Sequence, residues 1–422
     1  MKRSDYPLEQ ALGMCWYASS TEGVGGRLRT TAEDFVVEEV PDLPGGEGPF
    51  LLCTLTKRNW ELQRAVKEIA SSLGISHKRI GWAGTKDKHA VTTQTISLYG
   101  VTPEEIASVS LGDLSLTVIG SANGGLSLGS LIENRFTVVI RDCIAEDLDQ
   151  RVQEVTQVCS QGIPNYYGVQ RFGVIRPITH IAGEYLIQGD YAGAVGAYVG
   201  KSSPDEDPVV AAARDEYLET RDPQLALHHL PVHLRYERAM LHHLTNHPDD
   251  YLGALQALPP KLLSMLVSAF QSYLFNMVLS ARLEAELTLM DPIPGDRLHF
   301  TNGRIDIATE ANLATATMHI RRGRCRIGLF VPGAEPFTPQ GRMDQMMEDL
   351  LKEHQIDRVS FKQAETVVKT RFSGASRPIA LTATVDAVVE ENDLTLRFPL
   401  PPGHYATTVC REYMKSDPLM MI

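Results

Sequence analysis

Strand-like runs at both ends of this chain enclose a long helical middle, and that change of texture constrains the fold more than any other feature. Arg79-Ile80-Gly81-Trp82-Ala83 and Thr95-Ile96-Ser97-Leu98-Tyr99 read as short strands on either side of a polar loop from Gly84 to Gln94. The run from Arg135 to Arg141 is β-rich through Phe136, Val138, Val139 and Ile140. Helical spacing falls between these runs. Leu62, Val66, Ile69 and Leu73 share one face, with Asn59 as the expected cap and Gly74 as the stop. A second helix is predicted from about Ala145 to Cys159, on Leu148, Val152, Val155 and Cys159. From about Asp190 the sequence turns helical, rich in alanine and acid, with a long helix expected from about Leu262 to Leu287 on Leu263, Leu266, Phe270, Leu274 and Met277. Strand patterns return at Ile379 to Val388 and Leu394 to Phe398. If these rejoin the first sheet, the middle of the chain is an insertion.

The 422 residues are 43% hydrophobic and 22% charged, a globular composition whose length suggests about two or three domains. The opening Met1-Lys2-Arg3-Ser4-Asp5-Tyr6-Pro7 lacks the apolar stretch of a signal peptide, and no later segment has about 18 uncharged apolar residues in a row. A soluble, cytoplasmic chain with no membrane partner is therefore expected. The six cysteines, Cys15, Cys53, Cys143, Cys159, Cys325 and Cys410, show no C-x-x-C spacing, which argues against a disulfide framework or a thiolate metal site. A formal net charge of -12 is awkward for a nucleic-acid partner, because phosphate binding draws on clustered cations. Distribution matters more than the total. Acid concentrates at Asp205-Glu206-Asp207, Asp215-Glu216 and Asp249-Asp250, while Lys78, Arg79, Lys86 and Lys88 crowd one stretch. Arg321-Arg322-Gly323-Arg324-Cys325-Arg326 forms a second basic run; such runs serve phosphates or simply face solvent.

The densest chemical signal is the run from Gly81 to Gln94, where Asp87 stands between Lys86 and Lys88 in a glycine-bounded loop. Flanking cations favour the ionised carboxylate. Such a group acts as nucleophile, base or stabiliser of a sugar cation rather than as a general acid. The same residues also describe a surface turn with an ion pair. They do not make a phosphate-cradling P-loop, whose glycine and lysine spacing is absent.

A second cluster, Asn165-Tyr166-Tyr167-Gly168-Val169-Gln170-Arg171-Phe172-Gly173, gathers amides, aromatics and a guanidinium. Those groups can read an extruded base: an amide on its hydrogen-bonding edge, Tyr167 for stacking, Arg171 on phosphate. An aromatic turn packing a core has the same composition. His243 and His247 lie four apart, but no H-E-x-x-H pattern accompanies them and no metal site is expected.

Taken together, the two clusters resemble the TruD family of tRNA pseudouridine synthases, in its archaeal type. The resemblance rests on Ala83-Gly84-Thr85-Lys86-Asp87-Lys88 with Gln94, on the segment from Asn165 to Gly173, and on Glu33-Asp34-Phe35-Val36-Val37-Glu38-Glu39. It continues through Phe270-Gln271-Ser272-Tyr273-Leu274-Phe275-Asn276 and Leu400-Pro401-Pro402-Gly403-His404-Tyr405-Ala406-Thr407 with Arg411-Glu412. It implies that Asp87 is the essential catalytic carboxylate, and that Phe35, Asn165 and Tyr405 line a uridine pocket. Lys86, Gln94, Tyr167 and Arg171 are further candidates for substrate contact. Arg29 stands where family members often have lysine, and Tyr405 where they often have phenylalanine.

The resemblance also implies an α+β fold. Its catalytic domain, with a mixed, mostly antiparallel sheet, would comprise residues 1–190 and 374–422, interrupted by an inserted, more helical TRUD domain at 191–373. The expected activity is isomerisation of a uridine in tRNA, uridine-13 in particular, to pseudouridine. That reaction needs no cofactor. Two rivals are a non-catalytic RNA-binding protein that keeps the pocket, and a glycoside-type hydrolase; the latter needs a second acid near Asp87, where the loop offers lysines.

Overall fold

The C-terminal strands do rejoin the first sheet in the computed structural model, which describes residues 1–144 and 146–422. Nine strands make this sheet: β1 (Gly25–Arg27), β2 (Phe35–Pro41), β3 (Phe50–Arg58), β4 (Ile80–Trp82), β5 (Val91–Tyr99), β6 (Leu114–Ala122), β7 (Leu131–Cys143), β8 (Asp386–Glu390) and β9 (Asp393–Leu400). The main path runs β8-β9-β7-β2-β5-β3-β6, with β1 on β7 and β4 on β5. Only the β2–β5 pair is parallel, so the sheet is mixed and mostly antiparallel. Strand β9 reaches across the sequence to β7, Leu394 facing Ile140 and Leu400 facing Asn134.

Period-two alternation explains one face of this sheet. Leu51, Cys53 and Leu55 of β3 and Ile96 and Leu98 of β5 are buried in one cluster with Leu62, Val66 and Ile69 of the helix Leu62–Ser72. That helix is capped by Glu61, whose carboxylate accepts from the amides of Gln63 and Arg64. The expected cap, Asn59, instead adopts a left-handed φ of 58° and donates its N–H to the Ala90 carbonyl. Asparagine tolerates that conformation better than most residues, which turns the chain between β3 and the helix. Gly74, at φ +63°, ends the helix as expected.

Backbone contacts divide the chain into two compact units. One, Ala18–Ile163 with Thr382–Ile422, holds the nine-stranded sheet. The other comprises Met1–Tyr17 and Pro164–Leu381. These divisions depart from the expected boundaries at 190 and 373. The helix Thr179–Gln188 packs on the long helix Pro260–Glu284, and Ala375–Pro378 completes a four-stranded antiparallel sheet beside Cys325–Val331. The helix buries its apolar face in the larger unit, and the strand joins it through its ladder with Cys325–Val331. At the helix crossing, a Cβ on Gly183 would stand 2.0 Å from the Leu266 carbonyl oxygen. Pro260–Glu284 is apolar and long enough to cross a bilayer by composition, yet 67% of its most apolar window is buried as core.

Three element boundaries also moved. The predicted strand Ile379 to Val388 is interrupted, leaving Ala380–Leu381 and Asp386–Glu390. The helix expected from Ala145 spans Leu148–Gln161, and Ala145 lies outside the described residues. Strand β5 begins at Val91 rather than Thr95, because Val91 to Gln94 pair with Leu55 to Arg58 of β3.

Candidate active site

The row of β3 side chains that begins with Leu51, Cys53 and Leu55 continues to Lys57, and the row on β5 continues from Leu98 and Ile96 to Gln94 and Thr92. The apolar stripe thus turns polar at one end, beneath the loop 83–90. Three sheet residues grip that loop. Lys57 Nζ donates to the Asp87 carbonyl at 2.9 Å and to the Trp60 carbonyl at 2.7 Å. Gln94 Nε2 donates to the Gly84 carbonyl at 3.1 Å. Glu39 of β2 takes the Lys86 ammonium in a buried ion pair, and its other oxygen accepts from the Thr95 amide.

This arrangement corrects the expected electrostatics of Asp87. Lys86 is turned inward onto Glu39, and Gln94 is buried on the strand rather than presented in the loop. Lys78 and Arg79 lie at the Tyr99 end of β5, where Arg79 donates to the Tyr99 and Gly100 carbonyls, roughly 25 Å of strand away from Val91. The cation on the Asp87 carboxylate is Arg29, at 3.1 Å. The side chain of Asp87 remains 48% exposed, while that of Arg29 is 10% exposed. Arg29 is held on three sides: its guanidinium lies 4.2 Å from the Phe35 ring centroid, its Nη1 donates to the Met421 carbonyl, and its backbone takes a left-handed φ of 56°. Phe35 is buried under this guanidinium, edge-on to Phe136. Tyr405 is 40% exposed and stands at the N-cap of the helix Ala406–Met414. The Cys410 thiol of that helix is pushed up to about 12 by burial, against the opposing charge of Arg29.

Lys57 is perturbed in the opposite direction. Burial lowers its pKa to about 8, partly offset by Asp87 and Glu61 and reinforced by Lys86. Sequence reading overlooked it, although its place in an inward-facing row of Leu51, Cys53 and Leu55 was a usable signal.

Asn165, Tyr167 and Arg171 lie in the other compact unit. Asn165 is fully buried with both amide ends engaged: Nδ2 donates to the Pro378 carbonyl at 2.8 Å, and Oδ1 accepts from Arg377 at 2.8 Å. Its hydrogen-bonding edge is thus turned to its own unit. Arg377 also lies 4.1 Å over the Tyr167 ring, which meets Phe275 edge-on. Arg171 donates to Ser272, and Asn276 both accepts from the Tyr167 amide and donates to its carbonyl. The segment is an aromatic–guanidinium cluster on the long helix. Arg377, not singled out from sequence, is its centre. His243 pairs with Asp250 at 2.8 Å, and the arginines of the run 321–326 turn a helix into a strand, with Arg321, Arg322 and Arg324 exposed.

Comparison with known proteins matches this fold and sequence along nearly the whole chain. The model of the family described as tRNA pseudouridine synthase D (TruD) covers residues 11–413. Proteins named probable tRNA pseudouridine synthase D from Methanococcoides burtonii and Methanosarcina acetivorans are 36% and 37% identical, each alignment covering 98% of both chains. A crystal structure of the putative tRNA pseudouridine synthase D (TruD) from Methanosarcina mazei superposes with a TM-score of 0.83 at 33% identity, over 99% of this chain and 100% of that one. The class so defined is that of the pseudouridine synthases, which are isomerases. Within it, the chain belongs to the TruD family.

Proposed function

We propose that this enzyme isomerises a uridine of tRNA, uridine-13 by family resemblance, with the Asp87 carboxylate as the essential reacting group. One observation carries the assignment of Asp87. Its carboxylate is open to solvent, whereas its main chain and its cationic partner are fixed by buried groups, Lys57 below and Arg29 on Phe35 beside it. A group held this way meets a substrate without reorganising. In the reaction the C1′–N1 bond breaks, the uracil turns and C1′ joins C5. The proton leaves C5 and N1 gains one, so atoms balance without a cofactor. Extruding the uridine costs a few kcal/mol, which stacking surfaces offset. Tyr405 offers such a surface, while Tyr167 and Arg171 act within their own unit, Tyr167 under Arg377 and Arg171 on Ser272. Arg29 pairs with the carboxylate and fixes its direction, while Lys86 and Gln94 act on the loop. Asn165 acts through Arg377 and the turn it shapes. Six free cysteines suit a reducing cytoplasm.

The test is tritium release from a tRNA transcript labelled at uracil C5, followed by mapping of the modified position. Asp87→Asn keeps the shape of the side chain and removes its charge; turnover should fall at least about a hundredfold, with binding of the transcript retained. Retained turnover would remove Asp87 from the chemistry. Salt-sensitive binding without product, in the wild type, would instead identify an RNA-binding protein.

A further inference from the structure

The face of the sheet beneath the Asp87 loop contains a buried cation that meets no carboxylate. Lys57 is 0% exposed, and its ammonium contacts two main-chain carbonyls, those of Trp60 and Asp87. Its neighbours in the ladder, Thr92 on β5 and Leu114 on β6, bring no charge. Leu51, Cys53 and Leu55 precede it in the same inward row, so an aliphatic side chain would continue the core. Taking an ammonium out of water without a bonded counter-ion opposes folding. Groups retained against stability in this way gather at functional sites.

We propose that Lys57 is a positioning residue for the reaction at Asp87: its ammonium pins the Asp87 main chain to the sheet and places a fixed positive charge behind the carboxylate, opposite the demands of core packing. This inference rests on the assignment of Asp87 given above. Two cations then serve one carboxylate by different routes. Arg29 bonds the carboxylate itself, while Lys57 holds the peptide that carries it. The other charged groups around Lys57 are Glu61 at the start of the following helix and Lys86 in the loop, the latter committed to Glu39. Gln94, on the neighbouring strand, makes the parallel contact at the other end of the loop, to Gly84. The loop is therefore clamped at both ends, with Glu39 holding Lys86 between them, and Lys57 is the one of these three sheet residues that brings a positive charge to it. Loss of its proton above about pH 8 would remove that charge while leaving Arg29 in place.

The experiment uses the full chain and the tritium-release assay, comparing wild type, Lys57→Met and Asp87→Asn as a function of pH. Lys57→Met should lower kcat roughly tenfold to a hundredfold, with KM changed by less than about threefold, since the carboxylate is displaced rather than the RNA surface removed. Wild-type kcat should bend downward near pH 8, and the Lys57→Met profile should lack that bend. A Lys57→Met enzyme with wild-type kcat, or one that keeps the same bend, overturns the proposal. Should Lys57→Met fail to fold, Lys57→Gln decides by the same readouts, because it keeps one donor for a carbonyl without the charge. Asp87→Asn separates the two readings. If it retains turnover, the assignment of Asp87 falls; if it is inactive while Lys57→Met is normal, only the role of Lys57 falls.

Discussion

Phe35 and Tyr405 place the same kind of ring in opposite settings, one buried and one at the surface, and their substitutions should separate accordingly. Phe35 is 1% exposed, edge-on to Phe136 and roofed by Arg29, so Phe35→Ala empties part of a packed core and should destabilise the protein by about 3–5 kcal/mol. Tyr405→Ala removes a ring from the surface; stability should change by no more than about 1 kcal/mol while turnover falls. Urea denaturation and tritium release on both variants check this. Lys57 adds a pH dependence of stability. Its folded pKa of about 8 lies below the roughly 10.4 of an unfolded lysine, so between these values the unfolded chain holds a proton that the folded chain has lost. Stability from this group therefore rises with pH through that window. Urea midpoints should show the wild type gaining on Lys57→Met from about pH 8 to about pH 10, the reverse of the trend expected in kcat. The motif around Asp87 was legible in sequence, but its partners were not. Chain neighbours suggested Lys86 and Lys88, whereas Lys86 turns to Glu39, Lys88 faces solvent and Arg29 arrives from 58 positions away.

Among the elements, two helices approach closely at Gly183, where Thr179–Gln188 crosses Pro260–Glu284. A methyl group there meets main chain, which cannot swing aside as a side chain can. Gly183→Ala should therefore destabilise the larger unit by about 1–3 kcal/mol despite its better helix propensity, measured as a shift in the urea midpoint of the full chain. Helical periodicity located the helices Leu62–Ser72 and Pro260–Glu284 well, since amphipathic spacing is a local property. It failed at boundaries set by partners. Val91, Thr92, Thr93 and Gln94 look like loop, yet join β5 because β3 supplies a ladder. Asn59 looks like a cap, yet the turn out of β3 claims its backbone and leaves the capping to Glu61.

At the scale of the whole molecule, the insertion read from sequence texture has a measurable counterpart. Within the sheet-bearing unit, the Ala383 amide donates to the Cys159 carbonyl at 2.9 Å, so the chain leaves and re-enters this unit at neighbouring points. Replacing residues 164–381 by a short Gly-Ser linker should give a chain that folds cooperatively, with a β-rich circular dichroism spectrum and one urea transition. Conversely, Met1–Tyr17 packs with the larger unit: Leu12 and Gly13 offer carbonyls to Asn276 and Ser280 of the long helix. Nothing local in residues 1–17 announces that allegiance.

By itself the sequence determined where the main helices and many of the strands lie, and it singled out Asp87 as the candidate for the chemistry. Those properties reside in spacing and in side chains a few positions apart. Only the tertiary structure decided which cation meets the carboxylate, which lysine lies buried beneath it, and that Asn165 spends its amide on Arg377 and Pro378. Such choices depend on the register between strands far apart in the chain, where a shift of one residue would turn Lys57 and Gln94 to the opposite face of the sheet.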